Sequence, residues 1–498
     1  MKPEETRSTY SCYAALITIK SRQAPSTIQQ KPPVSTSVHL RGSLSSFFRC
    51  CTVAILVLVI CTTTACNKKH PEAEFPEQLG IKDYGRLPGL RASSRQELQN
   101  ELARIIEQQG TPEQLDGIEL SGKGEPPDEK TSTKRPRIPF DSNVAIGLAD
   151  TFSKKTLRSL QEAADKRYPG GRFEFNALQL RSAMSFLSRH QDKLLSARGA
   201  LKRPKCDFGI KHTRGFGNDV SFIDRARLAG RLEAFSAARS LFVDDNPPEA
   251  INAFENMLQW AKHLGNERHA TARLQAGMLR GEALDVLQAI VLHPRCQNED
   301  LDRIREILHK HLAEWPSDAD AWIGDRALGM HCYEVVRDGA IVSLLTPQEI
   351  EEFSDVGSPE ELSEAARSIA DEDELFYLDA MRKIIESCDL PYYKRSQLAD
   401  EILSQAAEKN NSPNYPLVAD RLLLPNINHG LRMQAEDRAN TESWAIALEA
   451  ALAKPISYTI NPLTGKKYRI SRGKKQISVL EANGENENPQ AKVIVPIR

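Results

Sequence analysis

The chain has 498 residues, of which 27% are charged and 6% aromatic, and its formal net charge is −1. Its length allows two or three domains with sizeable cores. The near-neutral balance excludes a protein that attracts nucleic acid or acidic substrates through its overall field. The charge is unevenly placed, because residues 1–66 hold seven Lys/Arg and two acidic residues, a net of +5 that leaves −6 for the rest. A basic leader before an acidic body is typical of export, since positive residues stay on the cytoplasmic side.

After the basic leader, residues 1–49, comes one strongly apolar segment, residues 50–66, with the sequence CCTVAILVLVICTTTAC. As a helix it spans roughly 25 Å, the short end of what crosses a bilayer. Lys68 and Lys69 close it on the far side. The segment predicts a signal or membrane anchor that places the rest of the chain outside the cytoplasm, in the cell envelope.

The end of this segment, Thr63-Thr64-Ala65-Cys66, resembles a bacterial lipoprotein signal. In that family, small residues precede a cysteine that is lipidated and becomes the new N-terminus, so the resemblance implies lipid on Cys66. The family prefers Leu three residues before the cysteine, where this chain has Thr63. An uncleaved single anchor and a cleaved, fully secreted chain are the two alternatives.

Residues 67–138 have the composition of a mostly disordered tether, with no apolar residue between 122 and 137. One short helix near 94–109 interrupts it. Ser94 and Glu97 have the spacing of a capping box, and the apolar residues of one face follow: Leu98, Leu102, Ile105 and Ile106. Because so short a helix is marginal in isolation, we expect it to dock on the main domain or on a partner.

From 139 to 455 apolar residues recur at helical spacing almost without interruption. Thr346-Pro347-Gln348-Glu349 and Ser358-Pro359-Glu360-Glu361 are capping boxes with proline at the first helical position. Short connections between helices indicate antiparallel neighbours. The sequence therefore predicts a mainly α domain, an irregular helical bundle or α-solenoid. No fixed period supports a regular repeat array.

Residues 456–498 change to a β-rich pattern. β-Branched residues cluster in four short segments: 456–460, 466–470, 476–480 and 491–495. Asn461-Pro462-Leu463-Thr464-Gly465 and Asn483-Gly484 separate them as turns. We expect a small C-terminal antiparallel sheet packed on the last helix.

Two stretches of the chain resemble a group of uncharacterised exported helical proteins from planctomycete-type bacteria. They are Cys206-Asp207-Phe208, followed by Ala/Leu-rich helices, and Asn-Pro-Leu-Thr-Gly-Lys-Lys-Tyr-Arg-Ile at 461–470. The tails of that group typically read Asp-Pro-x-x-Gly-Lys-Pro-x-x-Tyr, whereas here Asn461 replaces Asp, Lys467 replaces Pro, and Tyr468 is offset. The motif is also faintly similar to the C-terminal part of type II secretion pseudopilins. The pseudopilin methylation signal is missing, so the resemblance implies neither pilus assembly nor any activity.

No motif in the sequence defines a catalytic, cofactor or metal site. His309 and His311 are two apart on a predicted helix and point to different faces, which predicts a core role for His311 rather than metal binding. Gly215-Phe216-Gly217 lies among the basic residues Lys202, Arg203, Lys205, Lys211 and Arg214. An anion or lipid headgroup site is one interpretation of that loop, and a solvated connection between helices is the default.

The acidic pairs have a structural explanation. Asp318 and Asp320 open one predicted helix and Asp371-Glu372-Asp373-Glu374 opens another, where carboxylates favour the positive end of the helix dipole. A basic cluster in the tail contains Lys466, Lys467, Arg469, Arg472, Lys474 and Lys475. It has no interleaved aromatic residue beyond Tyr468, whereas nucleic-acid readout uses several stacking residues, so we predict no nucleic-acid partner.

Four cysteines lie in the predicted exported body: Cys206, Cys296, Cys332 and Cys388. They form two disulfides or remain free buried thiols, since a domain of this size needs no covalent staples. The preferred hypothesis is a membrane-tethered envelope protein whose helical domain binds other proteins or forms part of an assembly. The alternative is an exported hydrolase with a dispersed carboxylate pair in a groove of the helical domain.

Overall fold

The computed structural model describes residues 95–109, 140–169, 172–409, 415–480 and 493–498. The predicted anchor 50–66, Cys66, Ser94, most of the tether and the Asn483-Gly484 turn lie outside these ranges.

The described residues form a mainly α-helical protein with a small antiparallel sheet, as the sequence predicts. The first helices are α1 (Gln96–Gln109), α2 (Val144–Thr151), α3 (Lys154–Asp165), α4 (Ala177–Arg189), α5 (Gln191–Leu201), α6 (Ser221–Phe242), α7 (Pro247–Gly265) and α8 (Ala270–Leu292). They are followed by α9 (Asn298–Ala313), α10 (Asp318–Arg337), α11 (Pro347–Glu352), α12 (Pro359–Ser368), α13 (Ala370–Glu386), α14 (Tyr392–Lys409) and α15 (Ile427–Ala451). The strands are β1 (Arg469–Arg472), β2 (Gln476–Leu480) and β3 (Val493–Pro496).

Local sequence signals fix several helix starts. In α11 and α12 the hydroxyls of Thr346 and Ser358 accept the backbone N–H of Glu349 and Glu361, whose carboxylates accept the cap N–H groups in return. Each cap of this kind is worth about 1 kcal/mol. Both predicted capping boxes are confirmed.

Two large hydrophobic cores lie among the described residues of the helical domain, beside a small third cluster of Ala435, Ala439 and Leu463. The first contains α2 to α9 and the inward faces of β2 and β3. The second contains α1, α10 and α12 to α14. Helix α15 belongs to both, because Ile427 and Leu431 pack in the second core while Trp444 and Ile446 pack in the first. This long helix therefore links the two cores.

Helix α1 docks on the main domain, as its apolar stripe predicts. Leu98 and Leu102 are fully buried in the second core. Glu101 accepts from Arg382 on α13 at 3.2 Å, and Arg95 donates to Glu372 at 2.6 Å. The helix begins at Gln96, inside the predicted boundary.

The sheet has the order β1-β2-β3, with both pairs antiparallel. Ile477 and Val479 point into the first core and pack against α15. The predicted strand at 456–460 is wrong, since only the isolated bridge Ile460–Lys467 forms there. Glu449 of α15 accepts the backbone N–H of Ser457 at 3.0 Å, so the segment bonds to the helix near its start. Near its end, Thr459 accepts the backbone N–H of Tyr468 at 3.2 Å, which is too short a pairing to make a strand.

In the part of the chain described above, no helix combines the length and the apolar character that crossing a membrane requires.

Candidate functional site

The glycine loop 215–217 is a packing element. Gly215 has φ +53°, and a Cβ added there would lie 2.1 Å from Nδ1 of His331 on α10. The Asn218 amide closes the loop by donating to the carbonyls of Lys211 and Gly215, each at 2.8 Å. The default expectation of a solvated loop is wrong, because Gly215 is buried against α10 and only glycine fits the contact.

Three of the basic residues near that loop lie in different surroundings. Arg203 donates to the backbone carbonyl of Asn143 at 2.9 Å. Lys202 and Lys205 are exposed. An anion-binding interpretation therefore has no support from this arrangement.

His309 and His311 lie on different faces of α9, as predicted. His309 pairs with Glu449 at 2.8 Å. His311 is buried with its ring edge-on to Trp315. Burial and the neighbouring cations Arg280 and Lys262 hold its pKa well below the ordinary value, so it is neutral. Across the described residues no group of three His, Cys, Asp or Glu side chains is placed to hold a metal ion.

The four cysteines of the helical domain are free thiols. Cys296, Cys332 and Cys388 are buried, and burial raises the pKa of all four. They therefore behave as small apolar core residues rather than reactive thiols.

The acidic run at the start of α13 does more than favour the helix dipole. Asp373 is fully buried, and its carboxylate accepts the N–H groups of Leu417, Val418 and Ala419 and the hydroxyl of Tyr333. It fixes the start of the π-helix Ala419–Leu423. The dipole explanation was incomplete, because sequence position does not show which acids point inward.

Glu374 is the second buried acid of that run. It pairs with Arg337, which also donates to Asp371 at 2.8 Å and Glu334 at 3.1 Å. Burial raises the pKa of Glu374 to about 7. Because all four residues are engaged with one another, the group holds α10 against α13.

Asp318 likewise has a role beyond its helix start. It accepts from Arg273 at 3.0 Å and from Arg395 at 3.0 Å. Asp437 of α15 accepts from Arg273 and, through a second pair at 2.8 Å, from Arg280. The side chains of Arg273 and Arg280 are fully buried, and both lie over the Trp315 ring. These ion pairs join α8, α10, α14 and α15 where the two cores meet.

The open surface of α8 is the strongest candidate for a functional site. Most of this helix is buried, but one narrow row of residues along it is not: Leu274, Gly277, Met278, Gly281, Glu282, Asp285, Gln288, Ala289 and Leu292. We call this row the α8 stripe. Its members recur at intervals of three and four residues, which places them on one helical face.

The stripe has apolar ends and an acidic centre. Met278 is 43% exposed and Leu292 is 55% exposed. Between them lie Glu282 and Asp285, and no hydrogen bond or ion pair joins Asp285 to another described residue. Burial raises the pKa of Asp285 to about 6 and that of Glu282 to about 7. Each carboxylate is partly withdrawn from water, and only Glu282 has a counter-ion.

Helix α6 forms one wall beside the stripe. Arg231 donates to Glu282 at 2.8 Å and to Asp165 of α3 at 3.2 Å. Its guanidinium carbon lies 3.5 Å from the centre of the Tyr168 ring. The Tyr168 hydroxyl and one Arg231 nitrogen, Nη1, are buried without a hydrogen-bond partner. Polar groups from α3, α6 and α8 therefore converge beside the acidic centre.

Helix α15 and strand β3 form the other wall. A Cβ added at Gly277 would lie 3.2 Å from the Asp437 carboxylate on α15. Gln288 donates to the carbonyl of Ile494 on β3 at 3.2 Å. A Cβ at Gly281 would meet nothing within 4 Å, so the middle of the stripe is open. The stripe is thus an exposed face of α8 between α6 on one side and α15 and β3 on the other, with an uncompensated carboxylate at its centre. We call this face and its two flanks the groove.

This site is not among the residues that the sequence suggests. The sequence does contain one indication of the stripe, since Met278, Asp285 and Leu292 follow one another at intervals of seven residues. The sequence does not show that this face of a largely apolar helix is left uncovered, since that depends on where α6 and α15 pack. A cleft elsewhere, of about 450 Å³ and open to solvent, is lined by Asp338, Gly339, Val342 and one face of α12, and it shares no residue with the stripe.

The chain matches no protein-family model, no curated protein and no solved structure.

Proposed function

We propose that this chain is a membrane-tethered protein of the cell envelope whose helical domain binds another protein through the α8 stripe. The observation that carries the proposal is the pair of exposed apolar side chains, Met278 and Leu292, on either side of the partnerless Asp285. With Leu274 and Ala289, which are partly exposed on the same face, they form an apolar row flanked by polar residues, as interaction surfaces do. The apolar segment 50–66 and the tether 67–138 support the placement in the envelope.

Contacts within the fold do not account for Asp285, the centre of the stripe. The buried ion pairs of Arg273, Arg280 and Arg337 each join two or more helices. Asp285 joins nothing, although a half-buried carboxylate without a partner costs folding free energy. A partner that neutralised this group and covered the apolar ends would recover that cost on binding.

The size of the native assembly tests the interaction. We expect the chain to run in a complex larger than its own 55.6 kDa when membranes of its native cells are extracted gently. The variant Met278→Gln/Leu292→Gln should shift it toward the size of the free chain. Leu178→Gln, which changes a residue 76% exposed on α4, is the matched control and should leave the complex intact. A complex unchanged by the double substitution contradicts the proposal.

The intact mass of the mature N-terminus tests the tether separately. A lipid-modified Cys66 or a retained segment 50–66 supports membrane attachment, and an unmodified soluble chain beginning near Cys66 contradicts it.

A hydrolase is the second candidate function, because Glu282 and Asp285 lie one turn apart and burial raises the pKa of both. Two neighbouring carboxyl groups with raised pKa can serve as general acid and general base in hydrolysis. Glycosidic and ester substrates should then be cleaved by the full-length chain, with activity lost in Glu282→Gln and in Asp285→Asn. Activity that persists in both variants contradicts this candidate.

A further inference from the structure

We propose that the partner presents an amphipathic helix with one lysine or arginine opposite Asp285, between two apolar side chains at seven-residue spacing. The proposal rests on the interaction function above and names the chemistry of the partner.

The spacing of the side chains along the α8 stripe fits a partner that is itself a helix. Met278, Asp285 and Leu292 are separated by two turns each, about 10 Å along the axis. A straight helix drifts only about 20° per seven residues, so the three side chains lie nearly in one line. A second helix packed along α8 meets them with residues at its own seven-residue spacing.

The charges around the groove favour a partner that brings a basic side chain. Asp165 and Glu282 already share Arg231, and Asp437 is occupied by Arg273 and Arg280. Asp285 is the carboxylate at the groove centre that no cation contacts among the residues described. Arg227, also on α6, is close enough to lower the pKa of Glu282, whereas the pKa of Asp285 is set by burial alone. A basic side chain from the partner gives Asp285 the counter-ion that its surroundings lack.

The middle of the groove admits a close approach. Gly281 has no neighbour within 4 Å of its Cβ position, and Ala289 one turn beyond Asp285 is small. A partner backbone can therefore approach α8 near Asp285, and a long lysine or arginine stem can lie along the floor.

The same geometry disfavours a second copy of this chain. Asp285 lies midway between Met278 and Leu292, so an antiparallel pair of α8 helices related by a two-fold axis places Asp285 against its own copy. Two like charges at the centre of a covered interface repel each other. The occupant is accordingly a different helix, of opposite charge at its centre.

Two synthetic helical peptides of about 21 residues test this on the full-length chain. Both carry leucine at two positions fourteen residues apart, and they differ only in the residue midway, lysine in one and glutamate in the other. Fluorescence anisotropy of the labelled peptides should show the lysine peptide binding at least ~10-fold more tightly, with the preference reduced by added salt.

Substitutions in the chain test whether the charge of Asp285, rather than the shape of the groove, causes the preference for the lysine peptide. Asp285→Asn should reduce the preference for lysine to within about 2-fold, and Asp192→Asn, an exposed acid on α5, should leave it unchanged. Equal binding of the two peptides by the unsubstituted chain overturns the proposal. Concentration-dependent self-association of the chain that is abolished by Met278→Gln/Leu292→Gln also overturns the proposal, because a second copy then covers the stripe. A failure of both peptides to bind also overturns it, while the size of the native complex independently decides the proposed function.

Discussion

Among single residues, Asp285 and Glu282 lie one turn apart on α8 in different surroundings. Glu282 has Arg231 at 2.8 Å, whereas no described cation contacts Asp285. Burial raises the pKa of Asp285 from its ordinary value of 3.8 to about 6. The folded chain therefore binds this proton more tightly than the unfolded chain, and the stability that results is lost as the pH rises through the folded pKa.

Asp285→Asn should stabilise the free chain increasingly as the pH rises from about 4 to about 7, because the variant carries no charge to bury. After a discount for the exposed part of the side chain, we expect a gain of roughly 1–2 kcal/mol near neutral pH. Urea unfolding across this range measures it. His263 and His269, with pKa lowered to about 4 and about 3, add a slope of opposite sign that cancels between variant and parent. A stability difference independent of pH contradicts the account of Asp285.

Substitution of two glycines by alanine should change the free energy of unfolding in opposite directions. Gly215→Ala should destabilise the chain by at least ~2 kcal/mol, because the left-handed backbone and the His331 ring both exclude a side chain. Gly281→Ala should stabilise it by about 0.5–1 kcal/mol, since its Cβ position is open and alanine favours the helix. Unfolding free energies compare them directly, and a stabilised Gly215→Ala chain contradicts the packing of that loop.

At the level of elements, helix α1 is stabilised by its packing on the second core rather than by the helix propensity of its own residues. Leu102→Ala removes a fully buried contact in the second core and should cost about 2–5 kcal/mol of docking free energy. Hydrogen exchange should then accelerate in α1 while α7 and α8 stay protected. Leu178→Ala, on an exposed site, is the control. Unchanged protection of α1 argues against docking.

Elements with strong local signals could be predicted from the sequence. Thr346 and Ser358 define their helix starts through contacts within three residues, and Leu98 and Leu102 define the face on which α1 docks. The segment 456–460 has the composition of a strand, yet its backbone bonds to Glu449. Such a contact depends on where α15 ends and is not visible in a local pattern.

At the level of the whole molecule, the two cores meet at α15, and the ion pairs of Asp437 hold this junction. The mainly α fold follows from periodicity. The uncovered face of α8 does not, because α6, α15 and β3 come from distant parts of the chain. The candidate site could therefore be recognised only once these elements were placed around α8.

Asp437→Ala should leave two buried guanidinium groups, those of Arg273 and Arg280, without this partner, at a cost of about 3–5 kcal/mol. Asp165→Ala is the control, since Arg231 keeps Glu282 and the lost pair is half-exposed, which predicts about 1 kcal/mol or less. Calorimetry on both variants measures the difference. Equal, small effects contradict a structural role for the junction.

The most direct measurement is site-specific photo-cross-linking in native cells, with a benzophenone side chain placed at position 278, 292 or 178 of the full-length chain. Positions 278 and 292 lie on the α8 stripe, and position 178 is exposed on α4. If the α8 stripe binds a partner, both stripe positions should give the same discrete adduct to another protein, and position 178 should give none. No adduct from the stripe, or an equal yield from position 178, contradicts this binding.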